Sequence, residues 1–336
     1  MNIFFTIDYE LFLGGNTGTV RNCLIRPLNA LTELLDKYQI KLTLFVDAAY
    51  LLRLEQLKNR HLDLQNDYDS IVWHLIHLSK CGHDIQLHFH PQWLYSDYDK
   101  MWKLDYLHYK MSDVPRDILN ESFANSKKLL ESIVEKEVIA FRAGGYSLET
   151  LKDFQRLFSV NNIKMDSSVL RYAYSDTKFQ KYDYREVCSK TLYPFSASVV
   201  KEDLGGTLKE LPISTIRLNS ILYVLLKNKI KRCYSPKHIY GDGKSIGTSY
   251  NRCERIKMQW TKLMHPMVIA ATMDGVMSGL LQRVYQSYRN EDNFVVIGHP
   301  KAFTDASLNN VANFLQKVNG EAIFDTISSL QIKNHL

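Results

Sequence analysis

The stretch CGHDIQLHFHPQW, residues 81–93, decides how this chain is read. Its centre, DIQLHFH at 84–90, is a short run rich in apolar and aromatic residues, bounded by Gly82 and Pro91, and reads as a β-strand. It ends on two histidines, His88 and His90, which a strand places on one face. Four other segments have the same character: NIFFTID at 2–8, KLTLFVD at 41–47, VIAFRAG at 138–144 and NFVVIGH at 293–299. Helical patterns lie between them, at 27–40 with Pro27 in the first turn, at 68–82 ending on Gly82, and at 118–134. Strands that alternate with helices predict a parallel sheet, and such folds gather ligands at the carboxyl ends of their strands.

Reactive side chains occupy those ends. Asp8 and Glu10 close the first strand, Asp47 the second, His88 and His90 the third, Arg142 the fourth and His299 the last. Asp8 and Glu10 share the i, i+2 spacing of the histidine pair, so each pair projects from one strand face. Two imidazoles with one or two carboxylates suit a divalent ion such as zinc, and three protein ligands leave a position for water. An ion so held activates water and polarises a carbonyl, the core of metal-assisted amide or ester hydrolysis. His61, His74, His77, His83, His108, His238 and His265 are read as structural.

The remainder bounds the answer. With 336 residues, 45% hydrophobic and 23% charged, the composition is that of a globular α/β protein. Five cysteines without a CxxC or any recurrent spacing indicate neither a thiolate zinc site nor a disulfide framework. The N-terminus has neither a basic leader nor a small-residue cleavage site, and the apolar run at 221–226 is too short to span a bilayer. A soluble cytoplasmic protein is expected, with no nucleic-acid partner. The +6 net charge is regional: between Arg217 and Lys262 eleven Lys/Arg face two acids, leaving the rest at −3. That segment reads either as a patch for a phosphate, nucleotide or acidic lipid surface, or as a solvated helix and loop. GDGKSIG at 241–247 lacks the spacing of a P-loop, and 268–288 is expected to be a helix.

Taken in order, FTIDYE (5–10), GHDIQLHFHPQW (82–93), FRAGGYS (141–147), IKMDSSV (163–169), LKELPIS (208–214) and VVIGHPK (295–301) resemble the motifs of the polysaccharide deacetylase family, the NodB-homology domains of carbohydrate esterase family 4. More narrowly they resemble the branch encoded in O-antigen and capsule gene clusters. The likeness spans about residues 2–300. It implies a distorted (β/α) barrel of about seven parallel strands in one domain, 1–336, with 217–262 as a basic insertion. It also implies metal-dependent removal of an N- or O-acetyl group from a sugar. The missing leader suggests a nucleotide-linked or lipid-linked substrate, and the basic segment fits either a phosphate-bearing donor or the inner membrane surface. Oligomeric state is left open.

The resemblance assigns roles by position. Asp8 matches the base, Arg142 the residue that orients it, His299 the acid for the leaving amine, and Asp166 the carboxylate that pairs with that histidine. Two departures stand out. Tyr9 occupies the place of the metal-binding Asp, making Glu10 the substitute, with the Asp8 and Glu10 roles open to inversion. Gln92 falls where the second metal histidine belongs, which leaves three readings: His90 supplies the imidazole, Gln92 coordinates through its carbonyl oxygen, or the metal and activity are lost. His90 is preferred, since imidazole is the better zinc ligand. A noncatalytic sugar-binding protein that keeps the barrel is the alternative, with Trp93, Tyr95, Tyr98, Trp102, Tyr106 and Tyr109 as stacking faces.

Overall fold

The computed structural model describes residues 1–233, 238–246 and 266–333. Its main sheet is built from β1 (Asn2–Tyr9), β2 (Thr43–Asp47), β3 (Asp84–Phe89), β4 (Ala140–Ala143), β5 (Met165–Asp166), β6 (Tyr193–Phe195), β7 (Leu208–Glu210), β10 (Asn293–Gly298) and β11 (Ile323–Phe324), while β8 (Thr215–Leu218) and β9 (Met267–Ala270) pair separately. The order is β6-β7-β5-β4-β3-β2-β1-β10, with β11 also on β1. From β7 to β10 every neighbour is parallel; only β6 is antiparallel.

Two extended segments close the gap between the ends. Ile213 N–H donates to the Val169 carbonyl at 2.9 Å and Ser214 N–H to that of Val295 at 3.1 Å. Ala271 N–H then reaches Ser214 at 2.7 Å, and Ile297 N–H reaches Ala271 at 2.9 Å. The sheet therefore curls into a distorted (β/α) barrel. Strand alternation splits its apolar residues into two cores. Phe4, Phe45, Ala140, Met165, Val295 and Ile297 fill the lumen. Ile7, Leu44, Val46, Leu87 and Phe89 point outward, into the larger core shared with the helices.

The helices are α1 (Arg26–Asp36), α2 (Ala48–Leu57), α3 (Leu62–Lys80), α4 (Arg116–Val134), α5 (Phe154–Val160), α6 (Ser220–Cys233), α7 (Leu281–Ser287), α8 (Asp305–Val318) and α9 (Ile327–Lys333). The bottom of the lumen is plugged by Ile327 and Leu330 of α9. Ile327 N–H donates to Thr43 Oγ1 at 3.0 Å, and Ser328 Oγ donates to Asp84 Oδ1 at 2.8 Å. With its lower half filled, the lumen is open to chemistry only at the carboxyl ends of its strands.

The helix expected over 268–288 is corrected. Residues 267–270 form β9 and the chain stays extended to Met273; a 3-10 turn, Gly275–Leu280, and the short α7 follow. Branched Val268 and Ile269 favour a strand, and Asp274-Gly275 breaks the run. Strands β8 and β9 are antiparallel, Thr215 facing Ala270 and Leu218 facing Met267, so the chain reverses between them. Most of the basic segment lies there, with α6 on it; its residues 234–237 and 247–262 lie outside the described residues. Among the described residues no helix is long and apolar enough to cross a membrane.

Candidate active site

Strand β1 sets the geometry. Thr6 and Asp8 point into the lumen, and Glu10 follows on the same side. Tyr9 points out, its hydroxyl 3.0 Å from His74 Nδ1, while His74 Nε2 meets Asn29 Oδ1 at 2.9 Å. The tyrosine that displaces the expected acid is thus a packing residue, and His74 is a structural histidine. His83 is another, its Nδ1 accepting the Leu42 N–H at 3.1 Å. His265 lies outside the described residues.

Arg142 is fully buried and spends its donors on the lumen wall. Nη1 binds Asp8 Oδ1 at 2.6 Å, Nη2 binds Thr6 Oγ1 and Ser167 Oγ at 3.0 Å each, and Nε binds the Ser167 carbonyl at 2.8 Å. Its guanidinium lies 4.2 Å from the Phe45 ring, a cation–π contact. Burial pushes the Asp8 carboxyl up, but Arg142, His88 and His299 outweigh it and hold Asp8 below the usual carboxylate range. Asp8 is therefore ionised and fixed.

Glu10, His88 and His90 converge beside it, each offering one ligand atom, all within 4.8 Å of one another and all buried. His88 Nδ1–H donates to the Arg142 carbonyl at 2.8 Å, which turns the lone pair of Nε2 toward Glu10 Oε2, 3.4 Å away. His90 Nε2 is 2.6 Å from the same oxygen. Glu10 Oε2 and His88 Nε2 nevertheless make no aligned hydrogen bond, an arrangement costly for buried polar atoms unless a third group takes their lone pairs. Burial lowers the His88 pKa, but Asp8 and Glu10 outweigh it and raise it above the ordinary value. The surroundings favour positive charge at this point. A carboxylate and two imidazoles fit a divalent ion.

Of the two candidates for the second imidazole position, the fold presents His90. Gln92 sits in the 3-10 turn Pro91–Tyr95, fully buried, and is not among the residues lining the cavity. The His90 ring is admitted by Gly144: a Cβ there would stand 2.6 Å from His90 Nδ1. Gly144 thus makes room for the substitute ligand. Asp47 fixes the same corner, accepting the His90 N–H at 3.2 Å and Trp93 Nε1–H at 2.8 Å.

His299 does not meet Asp166. Its Nδ1 is 2.6 Å from Asp274 Oδ2, and its N–H donates to Asp274 Oδ1 at 2.7 Å. Burial lowers its pKa, but Asp274 and Asp8 push it up to about 10. Its Nε2 faces Asp8 Oδ2 at 3.5 Å. Asp166 instead accepts from Ser168 Oγ at 2.7 Å and stands beside Glu210. The cause is topological: the parallel bridge of Thr272 with Ile297 carries Asp274 up alongside His299, whereas β5 lies between β4 and β7. Sequence reasoning missed Asp274, whose one signal was an Asp-Gly pair ending a branched run. It also gave no role to Lys301, whose Nζ binds Glu10 Oε1 at 2.9 Å and the Leu11 carbonyl at 2.6 Å.

A cavity of about 550 Å³ opens over these groups, walled by Phe12, Tyr109, Tyr146, Phe179, Gln180 and Ile246. Of the aromatic run 93–109, Tyr109 lines it. Trp93 is buried against Tyr50 and Trp102, and Tyr98 packs on Trp102, so these rings brace the barrel. The glycine-rich loop supplies another wall: Asp242 accepts from Thr19 and Asn22, and a Cβ on Gly243 would stand 2.4 Å from the Phe12 ring.

No family model and no curated protein matches this chain. Solved structures do. A GH57 branching enzyme from Thermococcus kodakaraensis aligns with 100% of this chain and 71% of its own, with TM-score 0.52 and 10% identity. A polysaccharide deacetylase candidate from Mycobacterium smegmatis aligns over 93% and 77%, with TM-score 0.46 and 14% identity. The polysaccharide deacetylase Bc1974 from Bacillus cereus aligns over 97% and 91%, with TM-score 0.42 and 9% identity. At 10% identity the first of these likenesses is one of fold alone.

Proposed function

We propose that this chain is a metal-dependent carbohydrate deacetylase that hydrolyses the N-acetyl group of a sugar during surface-polysaccharide assembly, O-antigen or capsule. The observation that carries the reading is the convergence of Glu10, His88 and His90 beside an Asp8 held by Arg142 and a charged His299. The ordered motifs quoted above support the acetamido sugar, and the basic segment supports a substrate linked to a nucleotide or lipid in the cytoplasm.

Glu10, His88 and His90 would hold the ion, for which zinc is the best match to two imidazoles and a carboxylate. When bound, it supplies acidified water and polarises a carbonyl, help that a base as weak as Asp8 requires. Arg142 fixes Asp8 Oδ1 and leaves Oδ2 to accept the proton of the attacking water. His299, charged through Asp274, holds a proton on Nε2 and passes it to the amine nitrogen as the C–N bond breaks. Acetate and the free amino sugar result.

Acetate release from N-acetylated sugar nucleotides and lipid-linked glycans tests this, with His88→Ala and Asp8→Asn compared at matched metal loading. Each variant is expected to lose about 100-fold or more: Asp8→Asn removes the placed base, and His88→Ala removes an imidazole that would hold the ion. Equal rates in all three proteins would end the mechanism. One observation favours the noncatalytic sugar-binding alternative: the Lys301 ammonium already gives Glu10 a cation. Metal analysis separates the two, since that alternative requires a purified protein with neither bound divalent ion nor affinity for one.

A further inference from the structure

Helix α6 is docked on one side and open on the other. Tyr223, Leu226 and Ile230 pack on the core. The Tyr223 hydroxyl contacts Met277 Sδ at 4.0 Å, and Ile230 fits so closely that a Cβ on Gly279 would stand 2.8 Å from it. The opposite face carries Ile221, Val224 and Leu225, with 63%, 42% and 62% of their surface exposed. Their i, i+3, i+4 spacing makes one contiguous patch on the first two turns. Lys229, Lys231 and Arg232, all exposed, follow on the last turns. No acidic residue occurs in the sequence from 217 to 241.

We propose that α6 is an interfacial helix that seats the protein on an anionic lipid surface. Both halves of its open face are needed for that partner. The apolar patch suits the boundary between headgroups and acyl chains, and the cationic turns suit lipid phosphates. The face is convex, which favours a deformable partner over a rigid one that must carry a matching groove. Docking does not depend on the catalytic reading. It does seat the docked face of the membrane-facing helix on the 3-10 turn 275–280, which begins immediately after Asp274, the partner of His299.

Co-sedimentation of the full chain with vesicles tests this. Wild type is expected to bind phosphatidylglycerol–phosphatidylcholine vesicles at least about 10-fold more tightly than pure phosphatidylcholine, and to weaken as salt rises. Substituting Ile221→Ser, Val224→Ser and Leu225→Ser together should lower binding about 10-fold while leaving the preference for anionic vesicles. Lys229→Gln, Lys231→Gln and Arg232→Gln together should abolish that preference. All these side chains are exposed, and a thermal melt matching wild type verifies each fold. Equal binding to both vesicle types, or variants that bind like wild type, would overturn the proposal. Failure to bind vesicles combined with salt-sensitive binding to polyglutamate would also overturn it, in favour of an acidic protein partner.

Discussion

Asp8 and Asp166 are both buried carboxylates in the field of Arg142, yet they move in opposite directions. Burial pushes each up. For Asp8 the guanidinium at 2.6 Å, with His88 and His299, reverses the push. For Asp166 burial wins, and its neighbour Glu210 is driven further up by burial and by Asp166 itself. Two carboxyls this close share a proton more readily than they both ionise. One side of the arginine therefore holds a fixed negative charge, and the other a hydrogen-bonded acid pair. Burial sets the cost of charge; the partner within direct reach decides whether it is met.

Breaking the favoured side should have the largest effect. Arg142→Met leaves Asp8 buried without its cation and is expected to cost about 3–5 kcal/mol, read from urea unfolding midpoints. A loss below 1 kcal/mol would mean that Asp8 is not held by charge. Glu210→Gln probes the other side. Because the folded-state pKa of Glu210 is raised, its favourable contribution is complete below the unfolded value and is lost as pH rises toward the folded one. The variant should match wild type below about pH 4 and be the more stable of the two at pH 8, measured by paired urea titrations. A gain at low pH with none at high pH would reverse the assignment. Thr6→Val removes one acceptor from Nη2 while keeping shape, and should cost about 1 kcal/mol in the same assay. Any acetate-release activity should then fall only a fewfold, since Nη1 still holds Asp8.

Much of this arrangement was legible in the sequence. The strands that carry Asp8, His88, Arg142 and His299 were delimited by their apolar runs, and i, i+2 spacing put Asp8 with Glu10 and His88 with His90. Those are local rules, obeyed within one strand. The partner of His299 is not local. It depends on 271–273 lying beside β10, far along the chain from β8, and nothing in MDG announces that pairing. The role of Gly144 was illegible for a similar reason: its missing side chain matters to a ring 54 residues earlier. The aromatic run 93–109 was ambiguous because stacking on a sugar and packing on α2 call for the same residues.

The pairing of β1 has a consequence for how the chain is made. Its edges are covered by β2, β10 and β11, and two of those strands, beginning at Asn293 and Ile323, emerge from the ribosome long after it. Until then one of the most apolar strands in the protein presents open backbone donors and acceptors, the kind of edge on which chains aggregate. Long-range pairing of this sort slows folding. The nascent chain thus has a long window of vulnerability during synthesis, and Asp8 and His299 can meet only after it closes.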